Sequence, residues 1–231
     1  MLEFRGVRLA LGDFRLSADL TVGAGARVAL IGPSGSGKST LLGLISGFLI
    51  PDQGQVLWQG RDLAPLSPGK RPVSVLFQDQ NLFPHLSVGQ NVGLGLRPDL
   101  RLSPAERDRV AGALARVGLQ DMADRRPAQL SGGQQSRVAL ARVLLRARPI
   151  LLLDEPFGAL GPALKDEMLD LLAEIAGQTD ATVLMVSHDP DDARRFAAET
   201  IVIHDGRADP PVPTGALLDD PPPDLKAYLG G

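Results

Sequence analysis

The stretch GPSGSGKST, residues 32–40, is the strongest chemical signal in the sequence. It fits the pattern Gly-x-x-x-x-Gly-Lys-Ser, and it lies between a strand-like run, RVALI, and a helix-like segment. Glycines let such a loop curl until its backbone N–H groups face phosphate oxygens. We expect Lys38 to reach the β- and γ-phosphates and the Ser39 hydroxyl to bind Mg²⁺. The predicted nucleotide-binding residues are Gly32, Pro33, Ser34, Gly35, Ser36, Gly37, Lys38, Ser39 and Thr40.

A second chemical signal is a pair of adjacent carboxylates at the end of the apolar run ILLLDEP. Successive residues of a strand point to opposite sides, so Asp154 and Glu155 are expected to have different roles. Asp154 suits the Mg²⁺ side, either directly or through a water molecule. Glu155 suits the role of a base that polarises the attacking water. Together with the phosphate loop, the pair predicts a phosphate-hydrolysing site.

Two further polar residues follow strand-like runs. Gln78 ends VSVLFQ, and His188 ends LMVSH. We expect Gln78 to reach both Mg²⁺ and the attacking water, and His188 to contact the γ-phosphate. Each residue has a simpler interpretation. Gln78 could be a polar residue that only terminates a strand, and His188 could make only a structural hydrogen bond.

The stretch LSGGQQSR is a second turn of the kind that binds anions. Ser131 and Gln134 have the spacing of a capping box, which is sufficient by itself to explain the turn. A helix N-terminus also offers free N–H groups and the positive end of the helix dipole. The residues concerned are Ser131, Gly132, Gly133 and Gln134, and they leave the chain with two candidate phosphate sites.

The overall composition limits the classes of function. Among 231 residues, 24 Lys and Arg stand against 27 Asp and Glu, and the net charge of −3 gives no general attraction to nucleic acid. The absence of cysteine excludes disulfides, thiolate metal sites and a cysteine nucleophile. No signal-peptide core and no apolar run of about 18 residues is present, so we expect a cytoplasmic protein that does not itself span a membrane.

Short apolar runs rich in Val, Ile and Leu alternate with helical patterns. Such runs are typical of strands buried on both faces, and the alternation predicts an α/β fold with a parallel sheet. The clearest strand-like runs are residues 27–32, 149–156, 181–189 and 200–206. The clearest helical patterns are residues 38–46, 133–146 and 163–176.

Two regions depart from this alternation. Strand-like pieces separated by Gly-rich turns, up to about Gly60, predict an antiparallel sheet beside the core. Between residues 79 and 149 the strand signal disappears, and Ser103 with Glu106 marks the start of a helix in a helical insertion. We therefore predict one domain, made of an α/β core with antiparallel strands (1–78 and 150–208), a helical subdomain (79–149) and a short C-terminal tail (209–231).

Together these stretches resemble an ATP-binding cassette, the nucleotide-hydrolysing subunit of ABC transporters. GPSGSGKST resembles Walker A, LFQ the Q-loop, LSGGQ the family signature, ILLLDEP Walker B, and SH the switch histidine. The resemblance implies a P-loop NTPase fold with a RecA-like core. It also implies a head-to-tail dimer, in which the signature residues of each chain contact the ATP bound by the partner. The two phosphate sites would then belong to two different half-sites.

Within this family, the chain most resembles the ATPases of bacterial thiamine importers, chiefly over RPVSVLFQDQNLFPHLSVGQNVGLGLRPDLRL. That resemblance implies ATP as substrate, Mg²⁺, and as partners a second copy, a membrane permease and, indirectly, a periplasmic solute-binding protein. It also implies a place at the cytoplasmic face of the bacterial inner membrane, with residues 82–85 at the permease contact. Import of iron, sulfate or polyamine, and a weakly hydrolysing ATPase outside transport, remain alternatives.

Two positions depart from the family pattern. Gly161, in GALG, stands where the family carries an aspartate that bonds across the dimer. Leu11 stands where the family carries the aromatic residue that stacks on adenine, and Phe14 is the candidate substitute. We therefore expect reduced turnover and modest nucleotide affinity.

Overall fold

The fold comes from a computed structural model in which residues 1–77 and 81–229 are described. The strands are β1 (Leu2–Leu11), β2 (Phe14–Val22), β3 (Arg27–Ile31), β4 (Gln53–Trp58), β5 (Arg61–Asp62), β6 (Val73–Leu76), β7 (Ile150–Asp154), β8 (Thr182–Val186), β9 (Glu199–His204), β10 (Arg207–Ala208) and β11 (Val212–Pro213). The helices are α1 (Lys38–Ser46), α2 (Val88–Gly93), α3 (Pro104–Arg116), α4 (Gly132–Arg146), α5 (Pro162–Thr179), α6 (Pro190–Phe196), α7 (Thr214–Asp219) and α8 (Pro223–Leu229). Short 3₁₀ turns lie at Pro68–Lys70, Gln120–Met122 and Pro127–Gln129.

A parallel sheet with the strand order β9-β3-β8-β7-β6 forms the core. All five residues of β8 are buried, as are four of the five in β7, because helices cover both faces of the sheet. The α/β prediction is thereby confirmed. Parallel strands end at a common edge, so the segments that follow β3, β7 and β8 are brought together there.

The antiparallel strands extend the same sheet. β1 pairs with β2 and with β4 in antiparallel register, and β10 joins this part to β9. Apolar side chains of β1, β2 and β4 share one hydrophobic cluster with helix α1 and the core strands. The antiparallel sheet expected in the first sixty residues is confirmed, and β3 is the strand of that region that enters the parallel core.

Helices α2, α3 and α4 form a separate packed unit. Within the described residues between 81 and 149 there is no strand, and a distinct hydrophobic cluster includes Val92, Leu114 and Val138. The helix start expected at Ser103 is confirmed. The Ser103 Oγ accepts from the Glu106 N–H at 3.3 Å, and the Glu106 carboxylate accepts from the Ser103 N–H at 2.8 Å.

The C-terminal segment is packed more closely than the sequence suggests. β11 pairs with β9, and the buried hydroxyls of Thr200 and Thr214 are 2.9 Å apart. Leu225 of α8 is buried in the core cluster that contains Phe196. The segment predicted as a tail therefore carries two short helices that pack against the α/β core.

Within residues 1–77 and 81–229, no helix is both long enough and apolar enough to cross a bilayer.

Candidate active site

The phosphate loop between β3 and α1 depends on glycine at two close approaches. Gly32 has φ of +150°, and a Cβ there would lie 2.0 Å from the carbonyl oxygen of Ile203. Gly37 has φ of +112°, and a Cβ there would lie 2.8 Å from the ring of Phe14. Both conformations suit glycine and strain other residues. Glycine is therefore needed at these two positions for the loop to take this backbone conformation, apart from any role in binding phosphate.

Lys38, the first residue of α1, is folded back over this loop. Its Nζ donates to the carbonyl oxygen of Gly32 at 2.7 Å and to that of Pro33 at 2.9 Å. Burial lowers the pKa of Lys38, while the charges of Glu155 and Asp154 act in the opposite direction. A cavity of about 220 Å³ lies in front of the loop. The Lys38 ammonium is thus held where a phosphate oxygen could replace a backbone carbonyl as its acceptor.

The loop also contains an unsatisfied polar group. The Ser36 Oγ is buried and has no hydrogen-bond partner among the described residues. An unsatisfied buried hydroxyl is unfavourable, and it indicates a site that a ligand or water completes. Free helix N–H groups, the Lys38 cation and the Ser36 hydroxyl together fit a bound phosphate chain.

Asp154 and Glu155 face the loop from the end of β7. Burial raises the pKa of Asp154, whereas the nearby Ser39 hydroxyl and the Lys38 charge act in the opposite direction. Glu155 has a left-handed backbone, with φ of +47°, which turns its side chain away from the strand direction. The described residues contain no group of three or more His, Cys, Asp or Glu side chains suited to a metal. The Ser39 and Asp154 oxygens fit Mg²⁺ if phosphate and water supply its other ligands.

His188 contacts Glu155 directly. The His188 Nε2 lies 2.6 Å from the Glu155 Oε1, although the two residues are 33 positions apart. Both side chains line the cavity in front of the phosphate loop. The structure therefore brings together Lys38, Ser39, Asp154, Glu155 and His188, as the sequence predicts. Gln78, the remaining candidate in this set, lies outside the described residues.

Two contacts at this site were missed by sequence reasoning. The hydroxyl of Tyr228 in α8 lies 3.1 Å from the other ring nitrogen of His188. Lys165 of α5 forms ion pairs with Asp189 and Asp192, which flank the loop after β8. No local pattern marks either contact, because the partners lie on different elements and meet only through packing.

The signature turn has a different environment. The Ser131 Oγ accepts from the Gln134 N–H at 3.3 Å, and the Gln134 side chain accepts from the Ser131 N–H at 3.0 Å. The capping box is therefore present. Gly133 is buried, and a Cβ there would lie 2.2 Å from Leu164, whereas Gly132 is exposed. A second cavity, of about 390 Å³ and lined by Phe14, Pro33 and Asp205 among others, also borders the phosphate loop. Within the described residues, no member of the signature turn lines either cavity.

The positions that depart from the family pattern also have clear environments. Phe14 lines both cavities beside the phosphate loop, whereas Leu11 is 43% exposed and lines neither. Gly161 is the N-cap of α5 with an ordinary extended backbone, and a Cβ there would meet no atom within 4 Å. Aspartate would fit at Gly161 without strain.

Comparisons with known proteins agree with this geometry. Residues 16–158 match a family model described as ABC transporter. The chain is 64% identical over 230 residues to the thiamine import ATP-binding protein ThiQ of Cereibacter sphaeroides, with 100% of both chains covered. It is 60% identical over 230 residues to ThiQ of a Ruegeria species, again with full coverage. It is 51% identical over 219 residues to ThiQ of Yersinia pestis, covering 95% of this chain and 93% of the relative.

Solved structures give the same result. A dimeric structure of MJ0796, titled a bacterial ABC transporter cassette, matches with a TM-score of 0.79 and 32% identity, covering 93% of this chain and 99% of that one. A dimeric post-hydrolysis state of the ATP-binding cassette MJ0796, bound to ADP and Pi, matches with a TM-score of 0.78 and 31% identity, at the same coverage. Since the family model covers more than half of the chain and the relatives match it over nearly its whole length, this chain belongs to the ABC transporter family as an ATP-binding cassette.

Proposed function

We propose that this chain is the ATP-hydrolysing subunit of a bacterial thiamine importer. The assignment of ATP hydrolysis is supported by the approach of Glu155 and His188 to each other, at 2.6 Å, beside the phosphate loop. The assignment of thiamine is supported by relatives named as thiamine import proteins, which are 51% to 64% identical over nearly the whole chain. The solute itself would be recognised by other subunits.

In this proposal the phosphate loop holds the nucleotide. The free backbone N–H groups of the phosphate loop and the Lys38 ammonium bind the β- and γ-phosphates. Ser39, Asp154 and Gln78 hold Mg²⁺, which offsets the negative charge of the phosphates when it is bound. Phe14 provides the apolar surface for adenine, since it lines both cavities beside the loop.

Glu155 and His188 promote the hydrolysis of the γ-phosphate. Glu155 accepts a hydrogen bond from the attacking water and increases its nucleophilicity, and Gln78 helps to orient that water. His188 donates to an oxygen of the γ-phosphate, which places Glu155 and the water in line with the bond to be broken. Glu155 and His188 follow the ends of β7 and β8, so the sheet determines their relative positions.

We infer that the complete site needs two chains, arranged head to tail. Ser131, Gly132, Gly133 and Gln134 line neither cavity beside the phosphate loop of their own chain among the described residues. In the dimer, the N–H groups of Gly132 and Gly133 at the start of α4, which the capping box leaves unused, contact the γ-phosphate held by the partner. The neighbouring solved cassettes are titled as dimeric structures, which supports this arrangement.

The permease is proposed to bind near the exposed aromatic pair Phe48 and Phe77, with Ile50 and Phe83 as further exposed apolar side chains. Phe48 and Ile50 are 61% and 66% exposed, and the rings of Phe48 and Phe77 are 6.2 Å apart. Exposed apolar patches of this kind mark protein interaction sites. Binding there would hold the chain at the cytoplasmic face of the inner membrane, with a periplasmic solute-binding protein acting indirectly through the permease. Of the predicted contact residues 82–85, Leu82 instead packs against the core clusters.

A weakly hydrolysing ATPase is the second candidate, and Gly161 is the observation that favours it. Phosphate release by the purified chain distinguishes the two. The proposal expects ATP-dependent release that falls about a hundredfold or more in Glu155→Gln, the range for loss of a general base. Equal, very low rates in the wild type and in Glu155→Gln would support the weak ATPase instead.

Uptake of labelled thiamine tests the solute. In source cells that lack the chain, the wild type should restore uptake, and Lys38→Ala should not. Iron, sulfate and polyamine uptake are measured in the same strains. Thiamine uptake that is unaffected by deletion, alongside a loss of uptake of one of the other solutes, would replace thiamine with that solute.

A further inference from the structure

Helix α8 places the single tyrosine of the chain against His188. The Tyr228 hydroxyl lies 3.1 Å from the His188 Nδ1, and the two residues are 40 positions apart. The other ring nitrogen, Nε2, lies 2.6 Å from the Glu155 Oε1. His188 is therefore held between a phenol and a carboxylate, with one hydrogen bond to each ring nitrogen.

Of the two neutral tautomers of the ring, the chemistry of the two partners selects one. A carboxylate only accepts hydrogen bonds, so the neutral imidazole that fits Glu155 carries its proton on Nε2. Nδ1 is then a free acceptor, and a phenol O–H is a suitable donor for it. The proton on the opposite tautomer would point at the Tyr228 hydroxyl and leave two acceptors, Nε2 and the carboxylate, facing each other.

We propose that Tyr228 is a positioning residue for His188, holding the imidazole in its Nε2–H form and in one ring orientation. This inference rests on the proposed role of His188 in ATP hydrolysis. The Nε2–H form presents a hydrogen-bond donor to the cavity that Glu155 and the phosphate loop share. That donor is what a γ-phosphate oxygen requires, so Tyr228 prepares the ring before the phosphate arrives.

The packing of α8 supports a fixed contact. Leu225, one turn before Tyr228, is 3% exposed and belongs to the core cluster of Phe196 and Ala193. The Lys226 N–H donates to the Pro222 carbonyl oxygen at 2.8 Å, which closes the first turn. Burial, with a further contribution from the charge of Glu155, raises the pKa of Tyr228, so the phenol keeps the proton that it donates.

Nitrogen NMR of the full-length chain tests the proposal directly. The chain has three histidines, and the spectrum of His188→Gln identifies the signals of His188 by their disappearance. At a pH at which the ring is neutral, we expect the wild type to show an unprotonated Nδ1 and a protonated Nε2. Tyr228→Phe, which removes one oxygen, should shift the Nδ1 signal, because the ring loses the hydrogen bond to that nitrogen while Glu155 still accepts from Nε2. Lys226→Ala, an exposed change on the same helix, is the control and should leave the wild-type signals in place.

Steady-state ATPase kinetics provide the second measurement. Tyr228→Phe should lower kcat about two- to tenfold, as expected for the loss of one hydrogen bond, and leave KM for ATP unchanged. Leu225→Ala, which weakens the docking of α8, should lower kcat in the same direction, and Lys226→Ala should not. A neutral wild-type ring that carries its proton on Nδ1 would overturn the proposal. So would a Tyr228→Phe chain with unchanged His188 signals and unchanged kcat.

The same experiments separate this inference from the proposed function. If Glu155→Gln and the wild type hydrolyse ATP equally slowly, the proposed function fails. The NMR signals of His188 still test whether Tyr228 positions the ring. If hydrolysis depends on Glu155 but the His188 signals are the same in the wild type and in Tyr228→Phe, the positioning role fails and the ATPase assignment stands.

Discussion

The phosphate loop and the signature turn are both helix N-termini rich in small residues, but they differ in what completes them. At α1, Gly37 provides no side-chain cap, so the first N–H groups remain free for a ligand. At α4, Ser131 and Gln134 form a reciprocal capping box that satisfies two of those groups within the chain. The first site has a cation, a cavity and an unsatisfied hydroxyl of its own.

This difference shows how two similar sequence patterns can have different functions. A glycine-rich turn before a helix becomes a phosphate site when a cation and enclosure accompany it. Here Lys38 supplies the cation, and Glu155 and His188, which follow β7 and β8, help to enclose the cavity. The signature turn receives neither from its own chain among the described residues. We therefore propose that its use depends on a second chain.

The largest expected effect contrasts Lys38 with Ser131. Lys38→Ala should weaken ATP binding about ten- to a hundredfold, because charge-assisted hydrogen bonds to phosphate are lost. Ser131→Ala should change ATP binding to the monomer less than about twofold, while lowering the ATPase rate of the dimer. Calorimetry at dilute protein, followed by phosphate release at high protein concentration, measures both. Equal losses of ATP affinity in the two monomeric variants would contradict the conclusion that only the phosphate loop binds ATP within one chain.

A smaller effect contrasts two glycines, one in each turn. Gly32→Ala should lower the free energy of unfolding by about 1–3 kcal/mol, since its Cβ would overlap the Ile203 carbonyl oxygen. Gly132→Ala has open space and lies in a helix, so it should be neutral or stabilising by up to about 1 kcal/mol. Urea unfolding of both variants gives the two values. Similar destabilisation in both would mean that the two turns have the same steric demands.

A related prediction concerns affinity for the base. Phe14→Ala should weaken ATP binding by about 0.5–1.5 kcal/mol, or roughly two- to tenfold, because the aromatic surface beside the loop is removed. Leu11→Ala is the matched control, since Leu11 is exposed and lines neither cavity. Titration with a fluorescent ATP analogue measures both. Unchanged affinity in Phe14→Ala would remove this residue from the nucleotide site.

The smallest expected effect concerns Gly161. Gly161→Asp places a good N-cap at α5 without strain, so the free energy of unfolding should rise by a few tenths of a kcal/mol. If the aspartate bonds across the dimer, the ATPase rate or its cooperativity should also rise, by about two- to fivefold for one net hydrogen bond. Gly161→Ala separates a general effect of a side chain from that of the carboxylate. A rise in stability with no kinetic change would show that this position does not limit hydrolysis.

Much of the local structure could be predicted because local signals determine it. β3, β7, β8 and β9 appear where runs of apolar β-branched residues and leucines predict buried strands. α1 and α4 begin at or next to the predicted residues, because glycine and serine caps mark helix starts. The boundaries of α5 are less sharp, since Gly161 offers no side-chain cap.

The sequence by itself determined the residues that surround a phosphate chain, because a strand, a glycine-rich turn and a helix are contiguous in the chain. The tertiary structure alone decided which residues hold that site in place. Tyr228 reaches His188 because α8 docks on the core through Leu225, and Lys165 reaches Asp189 and Asp192 because α5 packs beside α6. Contacts of this kind depend on the packing of distant elements, and no spacing along the chain encodes them.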